Sequence, residues 1–472
     1  MIGFIANGGV RDVHVPADER LPKGKRELGQ MLLDNWPEWR AQVTFPILGK
    51  ALDWIVRKEG ALDMVVLVAS DQDDPTFRAN DTIHLAELIR QNIIEAHAWA
   101  SEANIILKRV RGNPSDYDVM LGTYEDIMLG AGEDLPQGRV YLELSGGTPA
   151  MVSMLMLKGV ERFGERAVPI YVTENRAMPM SLNIGARLTL DATLDDLRRS
   201  IDVYQYHAAL AVLDSRAELL AEHLPTYQAL HAVVDYARQR RNFNFQAAQA
   251  TVFGADRGLS PDHATLLRDL GDDIQLCDDV WLLREVLATA EVAFQVGAYA
   301  DFLGRAFRLS EGISDYVIDQ WAPREMFEIE ESTSLDGCPR VRKMRISRTW
   351  LNAHPDVAAH LTDKGIDLNK GVTRLTLATV ADYYAGSDNE RRRIVKLLNK
   401  VAALGDYRNQ MPYAHGYMGV SLEGLAQQYH TKKPEQIIKE LRELYRKAIG
   451  EDDAENPYDV INRICYALIE ED

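Results

Sequence analysis

Arg408 and His415 stand with six residues between them, in Tyr407-Arg408-Asn409-Gln410-Met411-Pro412-Tyr413-Ala414-His415-Gly416. An imidazole can carry a proton near neutral pH, and a guanidinium can stabilise charge that builds on a phosphate. Together they have the parts of a metal-free ribonuclease centre. An Arg followed after four to six residues by a His is common, since Arg78/His84, Arg90/His97, Arg216/His223, Arg257/His263 and Arg348/His354 also fit. Only Arg408 among them is followed directly by an asparagine, Asn409, whose side chain could orient either the arginine or an RNA. A structural Arg and His at a helix end is the competing reading, and chemistry alone favours it.

A second stretch with chemical potential is Leu144-Ser145-Gly146-Gly147-Thr148-Pro149-Ala150. It follows the β-forming run from Arg139 to Leu144 and precedes helix formers from Ala150 to Phe163, interrupted only by Gly159. Gly146 and Gly147 permit positive φ and close backbone approach, Thr148 is suited to an N-cap, and Pro149 to the first helical position. Such a strand-to-helix turn presents backbone N–H groups that can hold a phosphate. A tight βα turn with an ordinary cap is the alternative.

The elements that must position these residues follow two patterns. Over the first 190 or so residues, apolar runs alternate with helical periodicity, giving strand candidates Ile2 to Ala6, Met64 to Ala69, Asn104 to Lys108, Arg139 to Leu144 and Val168 to Thr173. The run Met64-Val65-Val66-Leu67-Val68-Ala69 has no polar alternation, which suits a strand covered on both faces of an open, mostly parallel sheet. Ligands bind such sheets beyond the carboxyl ends of the strands. The ends here are polar or glycine-rich: Asn7-Gly8-Gly9, Ser70-Asp71-Gln72, Ser145-Gly146-Gly147-Thr148 and Glu174-Asn175-Arg176. The expected ligand-binding residues are therefore Asn7, Gly8, Gly9, Asp71, Gln72, Ser145, Gly146, Gly147, Thr148 and Asn175. The helix from Ala150 has little polar face, so its outer side meets either the rest of the chain or a second copy.

After about Thr193 the pattern becomes successive amphipathic helices, including Asp195 to Leu213, Thr226 to Arg241, Val280 to Val296 and Tyr299 to Gln320. The expected architecture is α/β plus all-α: a Rossmann-like domain over 1–190, a helical connector over 191–270 and a helical domain over 271–472. Ser332-Thr333-Ser334-Leu335-Asp336-Gly337, extended by Cys338-Pro339, reads as a loop between helices.

Composition narrows the function. The net charge of −18 over 472 residues opposes broad, non-specific adhesion to nucleic acid but leaves room for a locally basic cleft. No apolar run approaches a bilayer span and no signal peptide is visible, so a cytoplasmic protein without membrane contact is expected. Cys277, Cys338 and Cys465 show no metal-ligand or paired spacing, so neither a zinc site nor a disulfide framework is expected.

Taken together, the two motifs resemble the CARF-HEPN ribonucleases that accompany type III CRISPR systems. Ser145-Gly146-Gly147-Thr148-Pro149-Ala150-Met151 is similar to the CARF ligand-binding signature, and Leu67-Val68-Ala69-Ser70-Asp71-Gln72 to the second CARF strand. Arg408-Asn409 with His415 resembles the HEPN nuclease pattern. The resemblance implies a homodimer that binds cyclic oligoadenylate, tetra- or hexa-adenylate, as allosteric activator, with no other cofactor and no metal. It implies metal-independent cleavage of single-stranded RNA to a 2′,3′-cyclic phosphate, with His415 as general acid or base, Arg408 stabilising phosphate charge and Asn409 positioning it. Some members slowly cleave their own activator, a step in which Thr148 or Ser145 could assist here. A CARF-type regulator of transcription or of protein partners, without nuclease activity, is the alternative; the acidic charge and the lack of a basic recognition helix oppose it.

Overall fold

The computed structural model describes residues 2–7, 12–19, 21–130, 138–173, 175–176, 178–254, 260–333, 339–368, 371–410, 416–450 and 455–471. Among the candidate residues, Gly8, Gly9 and His415 lie outside them. The chain divides into two compact units, Met1–Leu194 and Asp195–Asp472.

The first unit is built on six strands: β1 (Gly3–Asn7), β2 (Met64–Ser70), β3 (Ile105–Val110), β4 (Val140–Glu143), β5 (Ala167–Tyr171) and β6 (Met180–Ser181). Their order is β3-β2-β1-β4-β5-β6. β1 to β5 pair in parallel, and β6 joins antiparallel to β5. The five strands expected from sequence are all present; the two-residue edge strand β6 is an addition that is too short to leave a pattern.

Alternation along the strands explains the layers. Phe4, Ala6, Val65, Leu67 and Tyr141 share a core with Leu32, Leu48, Ala51, Ile55, Leu88 and Ile89 of the helices Lys25–Asp34, Leu48–Glu59 and Ile83–Ala96. Ile5, Val66, Val68, Val140 and Leu142 share another with Met120, Tyr124, Ala150, Met151 and Leu155 of the helices Tyr117–Gly130 and Pro149–Phe163. All seven residues of β2 are buried, as its unbroken apolar run predicts. Gly159 lets its helix approach the sheet, since a Cβ there would stand 2.4 Å from Leu142 Cδ1. On the outer side of this helix Leu157 is 51% exposed within the single chain.

The second unit is helical apart from one hairpin among the described residues. Leu303, Phe307, Leu397, Val401, Tyr407, Leu441 and Leu444 fill a core shared by the helices Asp279–Gln295, Tyr299–Trp321, Asn389–Ala402 and Glu435–Ile449. The helices expected as a connector join this unit beyond Leu194: Tyr227–Arg241 packs on Phe245–Gly254 and on Pro457–Glu470. Buried Arg240 donates through Nε to Glu285 over 3.0 Å and lies 2.8 Å from Asp273, tying this stretch to helix Asp279–Gln295. The helix expected from Asp195 to Leu213 is two helices, Ile184–Asp202 and Tyr206–Ser215, separated at Tyr204, whose φ is +55°.

The expected loop at 332–339 is instead part of a hairpin of β7 (Phe327–Thr333) and β8 (Pro339–Ile346). Ser332, Thr333 and Pro339 are strand residues; 334–338 lie outside the described residues. The alternation Phe327-Glu328-Ile329-Glu330 carries the strand signal that the following polar cluster hides. Cys277 is disulfide-bonded, against the expectation from spacing, and Cys465 is a buried free thiol.

Candidate functional site

The sheet order places its topological switch between β1 and β4, and the crevice beyond their carboxyl ends is where such sheets take ligands. Asn7 ends β1 there and the glycine turn follows β4. The two meet directly: Asn7 Nδ2 donates to the Gly146 carbonyl over 3.2 Å, and the Tyr124 hydroxyl donates to Asn7 Oδ1. Asn7 is 1% exposed, so both ends of its side chain brace the turn. Gly147 has φ +92°, and a Cβ there would lie 3.0 Å from the Asn7 Cβ. At Gly146 a Cβ would lie 2.9 Å from the Asn7 carbonyl oxygen.

Two of the N–H groups expected to face a ligand turn inward. Ser145 N and Gly146 N donate to the carboxylate of fully buried Glu143, at 2.7 and 3.2 Å. Burial pushes the Glu143 carboxyl up, against the Ser145 hydroxyl and these two N–H groups. Ser145 Oγ also accepts from Val172 N over 2.5 Å. Thr148 caps the helix as expected, its Oγ1 accepting from Met151 N over 3.2 Å while donating to the Pro114 carbonyl, with Pro149 in the first turn. Both hydroxyls named for activator cleavage are therefore engaged internally. The turn offers a ligand the Gly147 and Thr148 end of its backbone.

Asp71 and Gln72 are also buried and engaged. Gln72 donates through its backbone N and its Nε2 to Asp81, at 2.8 and 2.9 Å. Asp71 lies 2.8 Å from Arg26, 3.3 Å from Arg109 and 3.1 Å from Arg111. Burial works to raise the Asp71 carboxyl, but Arg26, Arg111 and Arg109 outweigh it and hold it below the usual range. Arg109 and Arg111 are each 54% exposed, so Asp71 presents two cations at the carboxyl end of β3. Asn175 is exposed on the segment after β5, which Lys50 Nζ holds through the Thr173 and Arg176 carbonyls at 3.4 and 3.1 Å. Asp12 closes the group: its Oδ1 accepts from Ile47 N and Leu48 N at 2.9 and 2.7 Å, and its Oδ2 is buried without a partner. Burial drives this carboxyl up to about 8 against those N–H groups, and the Glu143 charge adds to the rise.

In the second unit, Arg408 and Asn409 lie on the short helix Gly405–Gln410. Arg408 Nη1 donates to Asn409 Oδ1 over 3.3 Å. The guanidinium stands 5.9 Å from the centre of the Phe307 ring. Both flanks of the 411–415 stretch are anchored. Met418 N donates to the Gln410 carbonyl over 2.8 Å, and the Tyr407 hydroxyl donates to the Gly419 carbonyl over 3.2 Å and accepts from Ser421 N over 3.0 Å. Of the rival histidines, His354 stacks on Trp350 at 3.8 Å, His97 on Trp99 at 5.2 Å, and His263 bonds Glu471 at 2.8 Å.

Among the solved structures that resemble the chain is Enterococcus italicus Csm6 bound to cyclic hexa-2′-fluoro-hexa-dAMP, with a TM-score of 0.65 at 13% identity, covering 99% of this chain and 99% of that one. The chain has the fold of Csm6. The α/β-then-helical architecture expected from the CARF-HEPN resemblance is thus matched along the full length. No protein-family model matches the chain, and no curated protein matches it by sequence.

Within this Csm6-like fold, several residues escaped the reading of the sequence. Glu143 was hidden inside a strand, and Tyr124 inside an apolar helix. The basic run Lys108-Arg109-Val110-Arg111 at a strand end was a visible signal for the cations around Asp71. Among the described residues, no group of three or more His, Cys, Asp or Glu side chains is placed to hold a metal, and no helix is long and apolar enough to cross a membrane.

Proposed function

We propose that the chain is a cyclic-oligoadenylate-activated endoribonuclease that cuts single-stranded RNA, without a metal, in type III CRISPR antiviral defence. The observation that carries this reading is the placement of two motifs on one Csm6-like fold. The glycine turn lies at the switch crevice of the first unit, and Arg408 with its Asn409 brace lies in the helical second unit. The activator occupies the crevice of a homodimer, where paired turns fit the symmetry of a cyclic ligand. The solved Csm6 is bound to a cyclic ligand of six nucleotides, so cyclic hexa-adenylate is the first activator to test, with the tetra-adenylate beside it.

In the reaction, the ribose 2′-oxygen attacks the adjacent phosphorus and the 5′-oxygen leaves, giving a 2′,3′-cyclic phosphate and a 5′-OH. His415 moves the proton, taking it from the 2′-OH or giving it to the departing oxygen. Arg408 stabilises the charge on the phosphoryl oxygens, held in place by Asn409. In the homodimer, both copies contribute Arg408 and His415 to one cleft. Cleavage of a fluorescent single-stranded RNA in EDTA tests this, with wild type beside His415→Ala and with each ring or none. The expected result is cleavage only by wild type and only with activator. Cleavage by His415→Ala at the wild-type rate overturns the catalytic assignment.

A further inference from the structure

Arg374 and Arg408 point their guanidinium groups at the same aromatic ring. Their Cζ atoms stand 5.0 and 5.9 Å from the centre of the Phe307 ring. Gly405 fits beside both: a Cβ there would lie 3.6 Å from Phe307 and 3.7 Å from Arg374 Nη2. Three features of Arg374 are unfavourable by themselves. It is the first residue of helix Arg374–Ala385, behind the Thr373 cap, where the helix dipole favours an anion and disfavours a cation. The Arg408 guanidinium approaches the same Phe307 ring, and its like charge disfavours the Arg374 cation. Its Nη1 is buried with no hydrogen-bond partner, while Nη2 makes only a long 3.5 Å contact to the Ala402 carbonyl.

No carboxylate among the described residues forms an ion pair with either arginine; the nearby Glu311 is 3.8 Å from Arg308. Burial pushes the Arg374 guanidinium below its ordinary value and the Arg408 charge adds to this, with Glu311 opposing. A bound anion would offset the first two of these costs, since it would lie at the positive end of a helix and balance the charge of two cations. A phosphodiester has the charge and the acceptor oxygens to do so.

We propose that Arg374 and Arg408 form one anion site that grips the RNA phosphate, so that Arg374 is a second phosphate-binding residue absent from the Arg-His motif. The proposal rests on the ribonuclease reading for its ligand, but not for the existence of the site. Each guanidinium gains from the same aromatic ring, which offsets part of the repulsion between the two charges.

The test uses the full chain with cyclic hexa-adenylate and a fluorescent, non-cleavable 2′-deoxy oligonucleotide. Anisotropy is recorded at several salt concentrations for wild type, Arg374→Gln, Arg374→Lys and Arg408→Gln. Arg374→Gln is expected to weaken binding about tenfold and to reduce the log–log salt slope by about one, as loss of one phosphate contact does. Arg374→Lys is expected to keep the slope and lose part of the affinity, because the charge stays and the planar fork goes. Wild-type affinity and slope in Arg374→Gln would overturn the proposal. If wild type neither binds the oligonucleotide nor cuts RNA, the nuclease reading fails, and inorganic phosphate then decides the site. A phosphate-dependent rise in Tm that disappears in Arg374→Gln supports it; a rise that persists in that variant overturns it.

Discussion

The Asn7 amide donates to the Gly146 carbonyl across 3.2 Å, and the opposite end of the same side chain accepts from the buried Tyr124 hydroxyl. One residue thereby locks the end of β1 to the turn after β4 and to the helix beneath them. Asn7→Asp removes the donor, sets a carboxylate against the Gly146 carbonyl, and adds charge close to Glu143. A buried group left without its partner costs about 1–3 kcal/mol. The expected effect is a loss of activator affinity of about tenfold or more, read by titrating fluorescent cyclic hexa-adenylate. Unchanged affinity would mean that the position of the turn does not govern binding.

Gly147 tests the same turn from its other side. Its φ of +92° is strained for any other residue, and a Cβ meets Asn7 at 3.0 Å. Gly147→Val should destabilise the first unit by about 1–3 kcal/mol and weaken activation. Hydrogen exchange in helix Asn389–Ala402 should stay as in wild type, because that helix belongs to the other unit.

Much of this arrangement was legible in the sequence because it depends on local rules. Runs of β-formers marked β1 to β5, and Thr148-Pro149 announced a capped helix that the Thr148 hydroxyl does cap. What could not be read was the direction of polar groups. Asn7, Gln72 and Asp71 are expected as ligand contacts, and each also bonds a partner within the first unit: Gly146, Asp81 and three arginines. The glycine turn was recognisable, but only the fold reveals that buried Glu143 captures two of its N–H groups. Arg374 gave no signal, since its relation to Arg408 runs through Phe307, which is remote from both along the chain.

Stability of the first unit should depend on pH through Asp12. Its carboxyl is raised from 3.8 to about 8, so the folded chain keeps a proton that the unfolded chain releases between these values. Stability is full below about pH 4 and falls as pH rises toward 8, by at most about 1.4 kcal/mol per pH unit. Above that window this contribution is constant. Asp12→Asn preserves an oxygen for the Ile47 and Leu48 N–H groups but has no proton to lose. Hydrogen exchange in β2 should show the variant and wild type alike at pH 4 and the variant more protected at pH 8. A constant difference across that range would remove Asp12 as the titrating group.

Arg240 and Glu285, 1% and 0% exposed, form a buried pair joining helix Tyr227–Arg241 to helix Asp279–Gln295. Removing Glu285 leaves buried Arg240 with only the more exposed Asp273 carboxylate at 2.8 Å, a loss of up to about 3–5 kcal/mol. Glu285→Ala should therefore lower the urea midpoint of the second unit by a margin that an exposed pair such as Arg463–Glu455 cannot match when broken by Glu455→Ala. Equal midpoints for the two variants would contradict a structural role for the buried pair.

Arg408 and Asn409 should separate into a charge and its brace. Arg408→Ala deletes the guanidinium proposed to face the phosphate, and loss of one such donor typically costs a hundredfold to a thousandfold in rate. Asn409→Ala keeps that charge but removes the Oδ1 that accepts from Arg408 Nη1 at 3.3 Å, so about a tenfold fall in kcat is expected, with KM little changed. Neither substitution touches the first unit, so activator affinity should equal that of wild type in both. Single-turnover cleavage of a labelled RNA by the activated chain measures the rates. If Asn409→Ala is as inactive as Arg408→Ala, Asn409 contacts the RNA itself; if it is fully active, the Nη1 to Oδ1 bond does not set the position of the guanidinium during the reaction.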